Sequence, residues 1–197
     1  MGEIKSAREI AMERINAMGE PTEEERCDWK YRPEGEKLAA RFLKGEAKLS
    51  EELANFDKKA LDYVKRGISS ILMKNINLPA NESAQKTNLL AMEGLKAIKT
   101  DKTKTEALLK QLQQIFQHYS GVGEQQRNQA YEQLKEDFQL KVEQALRQQM
   151  GGQANNLHID IEKQPQFLEE WRKIKGQLDS QYIQVLTELK QQLEAVK

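Results

Sequence analysis

The chain has 197 residues, 31 basic against 31 acidic, with 38% apolar and 31% charged. That length suits one domain or two small ones, and the even charge excludes the field of an obligate nucleic-acid binder. High charge with helically phased apolar residues and few aromatics is the composition of narrow helical bundles, and the phasing excludes disorder.

Cys27 is the only cysteine, which excludes an intramolecular disulfide and a cysteine-based metal cluster. The start of the chain, with Glu3, Lys5 and Arg8, is too polar for a signal peptide. The most apolar window, Ile68 to Leu78, contains Lys74 and is too short to span a bilayer. A cytoplasmic protein with no membrane partner is expected.

Residues 3–18 read as a first helix, with Ile4, Ala7, Ala11, Ile15 and Met18 on one face; Gly19 and Glu20-Pro21 end it. Thr22 and Glu25 predict a capping box for a short helix carrying Cys27 and Trp29. Pro33 then starts a fresh helix with Leu38, Ala39, Phe42 and Leu43 inward, ending at Gly45. Ser50, Glu51 and Glu52 open a long helix in which Leu53, Phe56, Ala60, Val64, Gly67, Ile71 and Asn75 keep helical spacing. Leu61, Ile68, Leu72 and Ile76 widen that stripe beyond what one neighbour covers. Gly67 costs about 1 kcal/mol against Ala in a helix, so its place on the stripe predicts close helix packing. Leu78-Pro79 stops the run and divides the chain into 1–79 and 80–197, or one domain that includes both.

Asn81 and Glu82 begin the next helix, with Ala84, Asn88, Ala91, Leu95 and Ile98 inward. Thr103 and Glu106 are expected to cap another, with Leu108, Leu112, Ile115 and Tyr119 inward, supported by Leu109 and Phe116. Gly121-Val122-Gly123 breaks it. Two long helices follow, 124–150 with Tyr131, Leu134, Phe138, Val142 and Ala145, and 165–196 with Phe167, Trp171, Ile174, Leu178, Tyr182, Val185, Leu189 and Val196; Leu193 fills the last gap. At 1.5 Å per residue they would be roughly 40 and 48 Å long. The short connector folds them into an antiparallel hairpin. All but one of the glutamines lie beyond Lys110, and they read as a solvated helical face.

Between the long helices, Gly151 to Asn156 forms a turn, and Leu157-His158-Ile159-Asp160-Ile161 alternates as a strand does. A lone strand leaves backbone groups unpaired. It pairs either with Trp29–Arg32 or, preferably, with its copy in a second chain, which makes Leu157, Ile159 and Ile161 homodimer contacts. The fold class is therefore all-α: an elongated helical bundle with a long antiparallel C-terminal hairpin and one short β-strand at its tip.

Four groups of residues are candidates for chemistry. His158, Asp160 and Glu162 share one face of the expected strand and could hold a divalent ion, although the solvent face of an edge strand is the preferred reading. Gly151-Gly152-Gln153 resembles the loop with which peptide release factors enter the ribosomal peptidyl-transferase centre, but Gln-Gln-Met precedes it in place of Arg-Ser-Gly. Two glycines ending a helix account for it as well. Lys96, Lys99, Lys102 and Lys104 give the 86–110 region a modest positive excess. Leu61, Ile68 and Leu72 are partner contacts if exposed. No zinc-protease helix, phosphate loop, dinucleotide fingerprint or nucleophile elbow is present, and no cofactor is expected.

MGEIKSAREIAMER at 1–14, WKYRPEGEKLAARFL at 29–43, AMEGLKAIKTDK at 91–102 and QPQFLEEWRKIKGQLDSQY at 164–182 span most of the sequence. On these stretches the chain resembles an uncharacterised bacterial family of conserved hypothetical proteins of about this size. The resemblance carries helix caps and core residues and implies no activity. The expected function is a non-enzymatic scaffold that binds a protein partner. The alternative is a ribosome- or RNA-associated factor contacting through 86–110 and the 151–161 tip.

Overall fold

The computed structural model describes residues 6–9, 12–13, 20–150 and 160–196. The protein is all-α, and no β-strand occurs among the described residues. By compactness the chain divides into two units, residues 1–74 and 75–197. Of the expected 3–18 helix, residues 7–9 and 12–13 are helical and most of the others lie outside the described residues.

The first unit holds α1 (Glu23–Leu43), α2 (Leu49–Leu53) and nearly all of α3 (Lys58–Asn75). Thr22 caps α1 as expected: its hydroxyl accepts from the Glu25 amide at 3.2 Å while the Glu25 carboxylate accepts from the Thr22 amide at 2.8 Å. α1 then runs straight through Pro33, which corrects the expected restart there. Pro33 deprives the Trp29 carbonyl of its amide donor. Trp29 is 65% exposed, so water can serve that carbonyl instead. The helix ends in a Schellman arrangement, with Gly45 at φ +77 and the Glu46 amide donating to the Arg41 carbonyl at 2.9 Å.

The expected long helix from Ser50 is two helices. Asn55 and Asp57 favour turns and caps over helix interior. The chain bends there, and the Asp57 carbonyl accepts from the Ala60 and Leu61 amides, each at 2.9 Å, to restart as α3. α1 and α3 meet backbone to backbone through two glycines. A methyl group on Gly35 would overlap the Val64 carbonyl oxygen, and one on Gly67 the Arg32 carbonyl oxygen. The close packing expected at Gly67 therefore has a named partner.

The second unit holds α4 (Glu82–Ile98), α5 (Lys102–Ser120), α6 (Val122–Met150), a 3-10 turn (Ile161–Lys163) and α7 (Pro165–Ala195). Asn81 caps α4 through the Ala84 amide at 2.8 Å. The buried Asn88 clamps the segment before α4, accepting from the Asn77 amide at 3.0 Å and donating to its carbonyl at 2.7 Å. The cap of α5 is Asp101, not Thr103: the Lys104 amide donates to its carboxylate at 3.1 Å. Along α6 and α7, Arg127 meets Asp179, Tyr131 meets Trp171 and Phe167, and Phe138 meets Phe167 edge to face. Leu134, Ile161 and Phe167 form the buried centre of this cluster.

Ile161 is thus in a 3-10 turn rather than a strand, which corrects the expected tip strand over its described part. Alternation aimed Ile161 outward, toward a partner. Burial against Phe167 and Leu134 removes its apolar surface within the chain, which the local pattern could not register. Leu157, His158 and Ile159 lie outside the described residues.

Candidate functional site

The described residues among those singled out by sequence fall on different elements. Gly151-Gly152-Gln153 and His158 lie outside the described residues. Asp160 pairs with Lys163 at 2.7 Å and Glu162 with Lys135 at 2.5 Å, and each lysine holds its carboxyl below the ordinary range. Among the described residues no three His, Cys, Asp or Glu gather to hold a metal ion. Ile68 and Leu72 have no exposed surface and belong to the core, while Leu61 is half-buried. Those first two therefore fail the condition of exposure set for partner contacts.

The lysine-rich segment is largely engaged by the protein itself. Lys99 is 8% exposed, and its ammonium donates to the Val196 carbonyl at 2.6 Å and the Glu194 carbonyl at 3.4 Å. Burial pushes it below the usual lysine range, with Glu194 opposing. Lys102 donates to the Lys96 and Ala97 carbonyls at the C-terminus of α4, where a cation also meets the negative end of the helix dipole. Lys96 pairs with Glu106 at 2.7 Å, and Lys104 with Asp101 at 3.6 Å. Spacing alone shows lysines on one segment; it does not show that two of them cap helix ends.

What the structure does assemble joins α5, α6 and α7. Arg127 pairs with Asp179 at 3.4 Å, donates to the Tyr119 carbonyl at 3.0 Å and lies over the Tyr119 ring, 3.9 Å from its centroid. The Tyr119 hydroxyl donates to the other Asp179 oxygen at 3.4 Å, and burial, with the Asp179 carboxylate, raises that hydroxyl above the ordinary tyrosine range. Tyr182 packs edge to face on Tyr119 and hydrogen-bonds His118 Nδ1 at 2.8 Å. The buried Gly123 lets this happen, since a side chain there would press on the Tyr182 hydroxyl. Arg127 and Asp179 satisfy each other and clamp three helices.

Beside this clamp, α5 and α7 border a cleft of about 690 Å³ with Gln126 of α6 at its edge. Ile115, Leu178, Val185 and Leu189 supply its apolar surface. Gln111, Gln114, Gln177 and Gln181 supply amides, and His118 and Tyr182 also line it. None of its lining residues is Asp, Glu, Lys or Arg. Val185 stands on the expected inner stripe of α7, yet it is 42% exposed, while its neighbour Leu186 is buried. By composition and period alone these glutamines read as a solvated helical face. Their spacing, three apart on α5 and four apart on α7, was the available signal that they share a face with Ile115, Leu178 and Val185.

A family model described as a family of unknown function, DUF6657, matches residues 50–195. No curated protein and no solved structure shows a significant match to the chain. Among the described residues no helix is long and apolar enough to cross a membrane.

Proposed function

The chain belongs to DUF6657, a family of unknown function, and from that premise we propose a non-enzymatic helical scaffold acting through protein–protein contact in the cytoplasm. The observation that carries this reading is the open middle of the α7 stripe. Phe167, Leu189 and Leu193 are buried, whereas Val185 between them is 42% exposed beside a cleft lined by no Asp, Glu, Lys or Arg. Apolar centres depleted of charge and rimmed by polar groups are the anatomy of interface cores.

In this reading α6 and α7 form a long antiparallel hairpin. The order of their pairs supports it: Gly123 with Tyr182, Arg127 with Asp179, Tyr131 with Trp171, and Phe138 with Phe167. Residues 80–197 carry the contact face and residues 1–79 form a separate helical region. RNA contact through 86–110 draws less support, because Lys96, Lys99, Lys102 and Lys104 are engaged within the chain.

The test is affinity capture from native lysate with the full chain as bait, beside a Val185→Glu bait. Val185 is surface-exposed, so the variant should keep the wild-type helicity and melting temperature. A partner retained by wild type and lost by the variant is expected. Recovery of the same proteins by both baits, or of none by either, would contradict the reading.

A further inference from the structure

We propose that the occupant of the α5–α7 cleft is a second copy of this chain, meeting it face to face about a two-fold axis. The inference rests on reading this face as an interaction surface and adds the identity of its partner.

The first reason is what the chain leaves uncovered. Leu178 and Val185 continue the stripe that is buried elsewhere on α7, and Ile115 faces them from α5, all three lining the cleft. Val185 keeps 42% of its surface in water. Covering it removes apolar area at no cost to the fold.

The second reason is the chemistry of the rim. In a two-fold contact the same face meets itself, so a surface of one charge sign would set like charges against each other. The lining of the cleft carries no Asp, Glu, Lys or Arg, although 31% of the chain is charged. Its amides instead belong to Gln111, Gln114, Gln126, Gln177 and Gln181. A carboxamide both donates and accepts, so a glutamine lining is complementary to itself, which an all-lysine or all-glutamate one is not. A partner of opposite charge would find nothing here to steer it. The Val185 side chains then pack over the apolar surface of the facing copy, with the amides exchanging hydrogen bonds around them. This location differs from the expected tip contact, of which Ile161 is buried inside the chain.

Sedimentation velocity of the full chain over a concentration series is the test, with Gln114→Glu/Gln181→Glu as the variant. Both positions are exposed, so helicity and melting temperature should match wild type. Wild type should move from monomer to dimer as concentration rises. The variant, which places carboxylates on both sides of the contact, should weaken dimerisation by at least about tenfold, the effect of a modest like-charge penalty. Adding salt should recover part of the loss. A wild-type monomer at every concentration up to roughly the 100 µM range of weak but specific dimers overturns the proposal. So does a dimer that the variant leaves unchanged, which would place the contact elsewhere. A monomer that still loses a captured protein on Val185→Glu would reject the second copy and leave the interaction reading intact.

Discussion

Arg127 and Asp179 face each other at 3.4 Å with each side chain only 13% exposed. The separation is long for a strong hydrogen bond, so the pair is held chiefly by charge at low dielectric and by the Tyr119 ring beneath the guanidinium. Removing one partner strands the other. Asp179→Ala should lose about 3 kcal/mol of stability in urea unfolding. Arg127→Met/Asp179→Leu together should lose at least about 1 kcal/mol less than the sum of Arg127→Met and Asp179→Leu made singly. Additive losses would mean that the charges do not interact.

The glycines of α3 and α7 should respond in opposite directions to the same change. Helix propensity favours alanine by about 1 kcal/mol in both. At Gly67 the methyl group meets the Arg32 carbonyl, a backbone atom that cannot step aside, and overpacking wins. Gly67→Ala should destabilise the protein by about 2 kcal/mol or more, at the upper part of the overpacking range. At Gly176 nothing lies within 4 Å, so Gly176→Ala should stabilise by about 0.5–1 kcal/mol. Thermal unfolding of the two variants reads both signs. A stable Gly67→Ala protein would contradict the backbone contact between α1 and α3.

Asn88 is 2% exposed and spends its carboxamide on one residue's backbone, the amide and carbonyl of Asn77. Asn88→Leu should cost about 2 kcal/mol, because it removes two hydrogen bonds of roughly 1 kcal/mol each. Hydrogen exchange at the Asn77 amide should quicken first. Unchanged exchange there would show that the clamp is not what protects it.

Acid should erase one local contribution to stability. Lys135 holds the Glu162 carboxyl below its ordinary value of 4.5. A lowered carboxyl stabilises the fold above that value and loses the contribution as pH falls through the folded-state pKa. Lys135→Gln should therefore be less stable than wild type at pH 7. The gap should close in acid where Glu162 is protonated in both proteins, as paired urea titrations would show. A gap that persists in acid would locate the effect in packing instead.

Much of the helical architecture was legible in the sequence. The Thr22–Glu25 box, the Asn81 cap, the stop at Gly45 and the buried ends of the α7 stripe, Phe167, Leu189 and Leu193, follow from local rules of capping and period. The break at Asn55–Asp57 was misread because a continuous apolar period outweighed two turn-forming residues. Pro33 was misread the other way, since an exposed helix face tolerates a proline better than the rule for interiors suggests. The Arg127–Asp179–Tyr119 clamp was not legible at all. Its members sit on three helices, and only the tertiary register brings them together.

The most direct measurement of the central claim is photo-crosslinking from the α5–α7 cleft in cells. A benzophenone residue placed at Gln114 lines the cleft, and one at Gly176 lies on the opposite side of α7 from Val185. Both positions are exposed. A discrete adduct from position 114 and none from position 176 is the predicted result. Equal adducts from both positions, or none from 114, would contradict the account.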